Sequence, residues 1–111
     1  MVLGMTEQAL FILASLAKGE LHGYGVARDV EELSDGRVRL TAGTLYGALN
    51  RLCDEGLVAP AGERLVQGRR RRYYRMTAAG ETAFAAEVER VRRTAVALGG
   101  RVPARPAVGP A

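Results

Sequence analysis

Residues 41–57 read Thr-Ala-Gly-Thr-Leu-Tyr-Gly-Ala-Leu-Asn-Arg-Leu-Cys-Asp-Glu-Gly-Leu, and a second block, Gly68-Arg69-Arg70-Arg71-Arg72-Tyr73-Tyr74-Arg75, follows soon after. Thr41 suits a helix N-cap and Gly56 a helix stop, so the first block predicts a helix. Turning about 100° per residue places Leu45, Ala48, Leu49 and Leu52 on one face and Gly43, Gly47, Asn50 and Asp54 on the other. Two glycines on the exposed side cost about 1 kcal/mol each relative to alanine. That cost makes sense if a second surface approaches closely; the competing reading is that the glycines merely allow a tight packing contact. Leu57-Val58-Ala59 predicts a short strand, Arg71 to Met76 its partner, and residues 62–68 their connection. Helix, strand and basic hairpin in this order predict a winged helix-turn-helix, which lays its third helix in a DNA major groove and its ribbon in the adjacent minor groove.

Charge follows the same segment. The chain has 111 residues and a formal net charge of +4, yet residues 37–75 hold nine arginines against three acids. The rest of the chain is therefore slightly acidic, and basicity is concentrated where the pattern places the reading elements. A protein of this length is one small domain plus an extension, and 48% hydrophobic residues suffice for a core.

Thr6 caps a predicted first helix, Glu7 to Lys18, stopped by Gly19. Its residues Ala9 to Ala17 are apolar in nearly every direction, the pattern of a helix covered on more than one side. So small a domain seldom covers both sides itself, which predicts a dimer interface including Leu10, Phe11 and Leu13. A second helix, Tyr24 to Leu33, turns Val26, Val30 and Leu33 inward. Thr77 caps a last helix in which Phe84, Val88, Val91, Ala95 and Leu98 step by four, three, four and three, as in a coiled-coil seam. The seam is too short to stand alone, so it is expected to pack on the first helix of its own and of a partner chain. The predicted organisation is a DNA-binding unit over 1–76, a dimerisation helix over 77–98 and a Pro/Gly-rich tail over 99–111 with little regular order.

Thr41, Thr44, Asn50 and Arg51 are the third-helix side chains expected nearest DNA: hydroxyls for phosphate or base edges, Asn50 for adenine, Arg51 for guanine or phosphate. Tyr46 sits at the boundary between core and surface and fits either role. Arg69, Arg70, Arg71 and Arg72 are read as a wing tip on phosphate or the minor groove. His22, Tyr24 and Arg39 complete the predicted DNA-facing set, with His22 positioning the turn before the second helix. On the hairpin, Tyr74 and Met76 are expected inward and Tyr73 and Arg75 outward. Cys53, with acids beside it, reads as a small buried hydrophobe.

The motifs Leu21-His22-Gly23-Tyr24-Gly25, Leu40-Thr41-Ala42-Gly43-Thr44-Leu45-Tyr46, Leu52 with Glu55-Gly56-Leu57-Val58, and Tyr73-Tyr74-Arg75-Met76-Thr77-Ala78-Ala79-Gly80 occur ungapped and in order. Over residues 9 to about 98 the chain resembles the PadR family of bacterial transcriptional regulators. The resemblance implies a dimeric winged-helix repressor, dimerising through its last helix, with a ligand site near the dimer interface. It points to the short branch with a single terminal helix. The chain departs from the multidrug sensors of that branch in holding no tryptophan, and from the commoner wing pattern in carrying Arg70 where proline is usual.

The leading expectation is a sequence-specific DNA-binding repressor acting on a pseudo-palindromic duplex operator and relieved by a small apolar or aromatic effector. Phe11, Phe84 and Val88 are the expected pocket lining, against the alternative of a fully packed interface. A winged helix that binds an acidic protein surface is the competing function. No catalytic set, cofactor motif or metal constellation is evident. One cysteine excludes an internal disulfide. The apolar run at 9–17 is too short for a bilayer, and with no basic leader at the start the expected location is the cytoplasm.

Overall fold

A computed structural model describes residues 5–104. Its elements are α1 (Glu7–Leu16), β1 (Leu21–His22), α2 (Gly23–Leu33), α3 (Ala42–Asp54), β2 (Val58–Val66), β3 (Arg69–Met76) and α4 (Ala78–Gly99). Thr6, Thr41 and Thr77 each cap the helix that follows, their hydroxyls accepting from the amides of Ala9, Thr44 and Gly80. Helix α1 ends two residues earlier than the pattern predicts, because Ala17 to Gly19 already turn toward β1.

The three helices of the winged unit close over one core of Ile12, Leu13, Leu16, Val26, Val30, Leu45, Leu49 and Leu52, sealed on the sheet side by Val58 and Tyr74. Leu33 does not turn inward as helical period predicts but is half exposed. Helix α2 turns away there through Ser34, whose Oγ accepts from the Val38 amide at 2.8 Å, and Val38 takes the core position instead.

The sheet is antiparallel in the order β1-β3-β2. Strand β1 pairs Leu21 with Tyr74 and His22 with Tyr73, a two-residue strand too short for any periodic signal. The wing is longer than predicted. Strand β2 runs to Val66, and residues 62–66 are strand rather than connection. A bulge between Pro60 and Glu63 absorbs Gly62, at φ 92°, and Pro60 is tolerated because β2 is an edge strand. The turn proper is Gln67-Gly68, both at positive φ, the two-residue geometry that matches strand twist.

Helix α4, 22 residues long, is the longest element described. Its first half packs on α1 and β3, with Phe84 against the core. Residues 90–100 are exposed throughout. Of the predicted tail, residues 105–111 lie outside the described residues.

Candidate nucleic-acid interface

The outer face of α3 is small and polar. Thr41 Oγ1 accepts from the Thr44 amide at 3.3 Å and donates to Thr44 Oγ1 at 3.1 Å, which fixes both hydroxyls at the helix start. Gly43, Gly47, Asn50 and Arg51 are exposed beside them. A Cβ built on Gly43 or Gly47 meets nothing within 4 Å. Packing within the chain therefore does not account for these glycines.

Tyr46 joins the two helices of the helix-turn-helix. Its ring lies over Gly23, where a Cβ would stand 2.8 Å from Tyr46 Cζ, while the residue stays 40% exposed. Tyr46 thus covers the edge of α2 and keeps part of its surface exposed. Burial pushes the Tyr74 phenol up, partly offset by the neighbouring Arg72 guanidinium. Tyr74 is buried in the core that Leu45, Leu49 and Leu52 of α3 also form, so its face of the wing is the inward one.

The four arginines do not form one tip. Strand alternation sends Arg70 and Arg72 to the Tyr74 face and Arg69 and Arg71 to the Tyr73 face, all below the Gln67-Gly68 turn. Arg70 is 75% exposed in its side chain, with Glu63 at 3.3 Å. Arg71 differs from its neighbours: it is half-buried, its guanidinium carbon lies 5.7 Å from the centroid of Tyr24, and its buried Nε has no hydrogen-bond partner among the described residues. Arg64, directly across from Arg71, was not singled out by sequence. It stacks 4.1 Å over the half-buried Tyr73 and pairs with Glu20. Only strand register could have revealed that role. Arg39 is exposed just before α3, 3.9 Å from Glu31.

His22 does position the turn before α2. Its Nδ1 caps the helix by accepting from the Gly25 amide at 3.0 Å, a role only the neutral ring fills. The ring stacks on Tyr24 (6.3 Å, 11°) and meets Tyr73 edge-on (5.4 Å, 86°). Burial first, and Arg71 second, hold its pKa below the ordinary 6.5. Cys53 is half-buried, its thiol pushed up by burial and by Asp54.

The predicted interface and pocket residues divide. Leu13 is fully buried in the core of its own chain and leaves no surface for a partner. Leu10, Phe11 and Phe84 are half-buried, Val88 and Val91 about two-fifths exposed, and Leu98 64% exposed. Ala95 is exposed as well. Phe11 lies under the Arg37 guanidinium at 5.8 Å. Two open grooves, of about 320 and 480 Å³, flank α2 and include none of Phe11, Phe84 and Val88. Among the described residues no cluster of three metal-ligating side chains occurs, and no helix is long and apolar enough to cross a membrane.

Comparison with known proteins agrees with this architecture. The transcriptional regulator Rv3488 of Mycobacterium tuberculosis is 43% identical over 75 residues, covering 68% of this chain and 66% of that protein. A 37.1 kDa protein in transposon TN4556 of Streptomyces fradiae is 38% identical over 96 residues, 86% of this chain but 25% of its own length. The chain thus spans two thirds or less of these relatives. Among solved structures, a PadR family transcription regulator from Clostridium difficile R20291 superposes with a TM-score of 0.75 at 22% identity, over 88% of this chain and all of that one. The sequence model of the PadR-like transcriptional regulator family matches residues 12–86, and the chain belongs to that family.

Proposed function

We propose that this regulator binds duplex DNA sequence-specifically, as a homodimer, and represses until a small apolar or aromatic ligand releases it. The observation that carries DNA binding is the open, glycine-containing face of α3, in a chain whose wing strand exposes Arg69, Arg70 and Arg72. A duplex presents phosphates and base edges to such a surface, and Thr41, Thr44, Asn50, Arg51, Arg69, Arg70 and Arg72 are the groups to meet them. Residues 1–76 act as the reading unit. Residues 77–98 act as the dimerisation helix, supported by Val88, Val91 and Leu98 standing exposed along α4. A two-fold dimer reads a pseudo-palindromic site. Repression and ligand release rest on the family resemblance alone.

Selection from a random duplex pool, followed by affinity measured across salt concentration, tests the reading. One enriched, inverted-repeat sequence bound well above competitor DNA is expected. Equal retention on heparin and on all duplexes would favour a basic surface without sequence preference, as in the protein-interaction alternative.

A further inference from the structure

We propose that Arg71 is a positioning residue: its guanidinium latches the wing to the start of α2 through Tyr24, and thereby aims the wing relative to α3, instead of meeting DNA. The four arginines 69–72 look equivalent in sequence, but Arg71 alone among them is half-buried. Its guanidinium carbon stands 5.7 Å from the Tyr24 centroid, within cation–π range, and Arg28 approaches the same ring at 5.9 Å. An Nε buried without a partner is not placed to bind phosphate.

The latch belongs to a continuous stack. Arg64 covers Tyr73, Tyr73 meets His22 edge-on, His22 stacks on Tyr24, and Tyr24 carries Arg71. Two of these residues are on α2 or its cap and three on the wing. The β1–β3 pairing of His22 with Tyr73 holds the base of the wing, and Arg71 extends that attachment two residues farther toward the turn. The directly opposed arginines Arg64 and Arg71 would repel. Arg64 turns to Tyr73 and Glu20, and Arg71 to Tyr24, so the like charges end on separate partners.

The proposal rests on the DNA-binding reading for one arm of its test only. Arg71→Ala, Arg71→Lys and Tyr24→Leu are compared on a fluorescent duplex carrying the selected site. Each should weaken binding about three- to tenfold, and Tyr24→Leu with Arg71→Ala should be no worse than either alone. Lysine keeps the charge and serves phosphate well but lacks the planar group, so Arg71→Lys should resemble the alanine variant. Rescue by lysine, or additive losses in the double variant, would make Arg71 a direct phosphate contact and overturn the proposal. The second arm needs no DNA. The groups around His22 are Tyr24 and Arg28 from α2 and Tyr73, Arg71 and Arg64 from the wing. An NMR titration of Arg71→Ala should show the His22 pKa rising toward 6.5 as a neighbouring cation leaves and the site opens. An unmoved titration would show that Arg71 does not rest against this cluster. Should the wild-type chain bind no duplex at all, the functional reading fails, and the His22 titration still decides the latch.

Discussion

Gly23 lies directly beneath Tyr46: a Cβ at Gly23 would stand 2.8 Å from the Tyr46 Cζ. The first residue of α2 and the middle of α3 are therefore held together by the absence of a side chain at one position. Gly23→Ala should displace the Tyr46 ring, which has solvent to move into, rather than the backbone. The expected stability loss is modest, about 1 kcal/mol, with a larger loss in DNA affinity as the outer face of α3 is disturbed. Denaturant melts and binding isotherms on the same variant separate the two effects.

Gly80 is closed in by backbone instead. A Cβ there would collide with the Leu57 carbonyl oxygen and stand 2.8 Å from Met76 Cγ. That carbonyl is not free to retreat, since it accepts from the Thr77 amide at 3.0 Å, while Thr77 Oγ1 donates to the Gly56 carbonyl at 2.6 Å. Gly80→Ala should cost about 2–3 kcal/mol, clearly more than Gly23→Ala. Equal melting curves for the two variants would show that the α3–α4 junction gives way easily.

Val91 is about two-fifths exposed on α4, away from the core. Val91→Asp should leave the winged unit folded and remove the dimer, because it puts a charge into the proposed apolar seam. Equilibrium sedimentation should give a wild-type dimer and a variant monomer with unchanged helicity. A wild-type monomer at micromolar concentration would contradict the proposed assembly.

Glu87 is almost buried, and both its oxygens accept from Arg90, at 2.9 and 2.6 Å. That hydrogen bonding holds its carboxyl below the ordinary 4.5 against the opposing effect of burial, with the Met5 backbone amide assisting. A depressed carboxylate stabilises the fold fully above its unfolded value, and the contribution disappears as pH falls through the lower folded value. Glu87→Gln should therefore melt below wild type at pH 7 and lose less than wild type between pH 5 and pH 3. Parallel melting curves down the acid limb would exclude Glu87 as an acid-sensitive contact.

What could be read from sequence follows from where the physics is local. Thr41 and Thr77 cap their helices from their own side chains, and the Leu45–Leu52 stripe is set by helical period, so both were legible. The wing is longer than its sequence suggests because Pro60 and Gly62 signal a break, whereas an edge strand with a bulge takes both. Leu33 fits the inward stripe of α2 and still faces outward, since Val38, across a turn, fills that place. Arg70 and Arg71 are chemically alike, and only the register of β3 against β1 and β2 decides that one is exposed and the other lies on Tyr24. Leu13 could not be separated from Phe11 by composition; the packing of α2 and α3 onto α1 buries one and leaves the other at the rim.

The open face of α3 is proposed to stand clear for a second surface, and Gly47 lies midway along it. Nothing within 4 Å would meet a Cβ there and the position is exposed, so Gly47→Leu gains helix propensity at an outward-facing site. The variant should be as stable as wild type or more so, by up to about 1 kcal/mol, and should have lost binding to its selected duplex. A variant that is folded, equally stable and binds that duplex with wild-type affinity would contradict it.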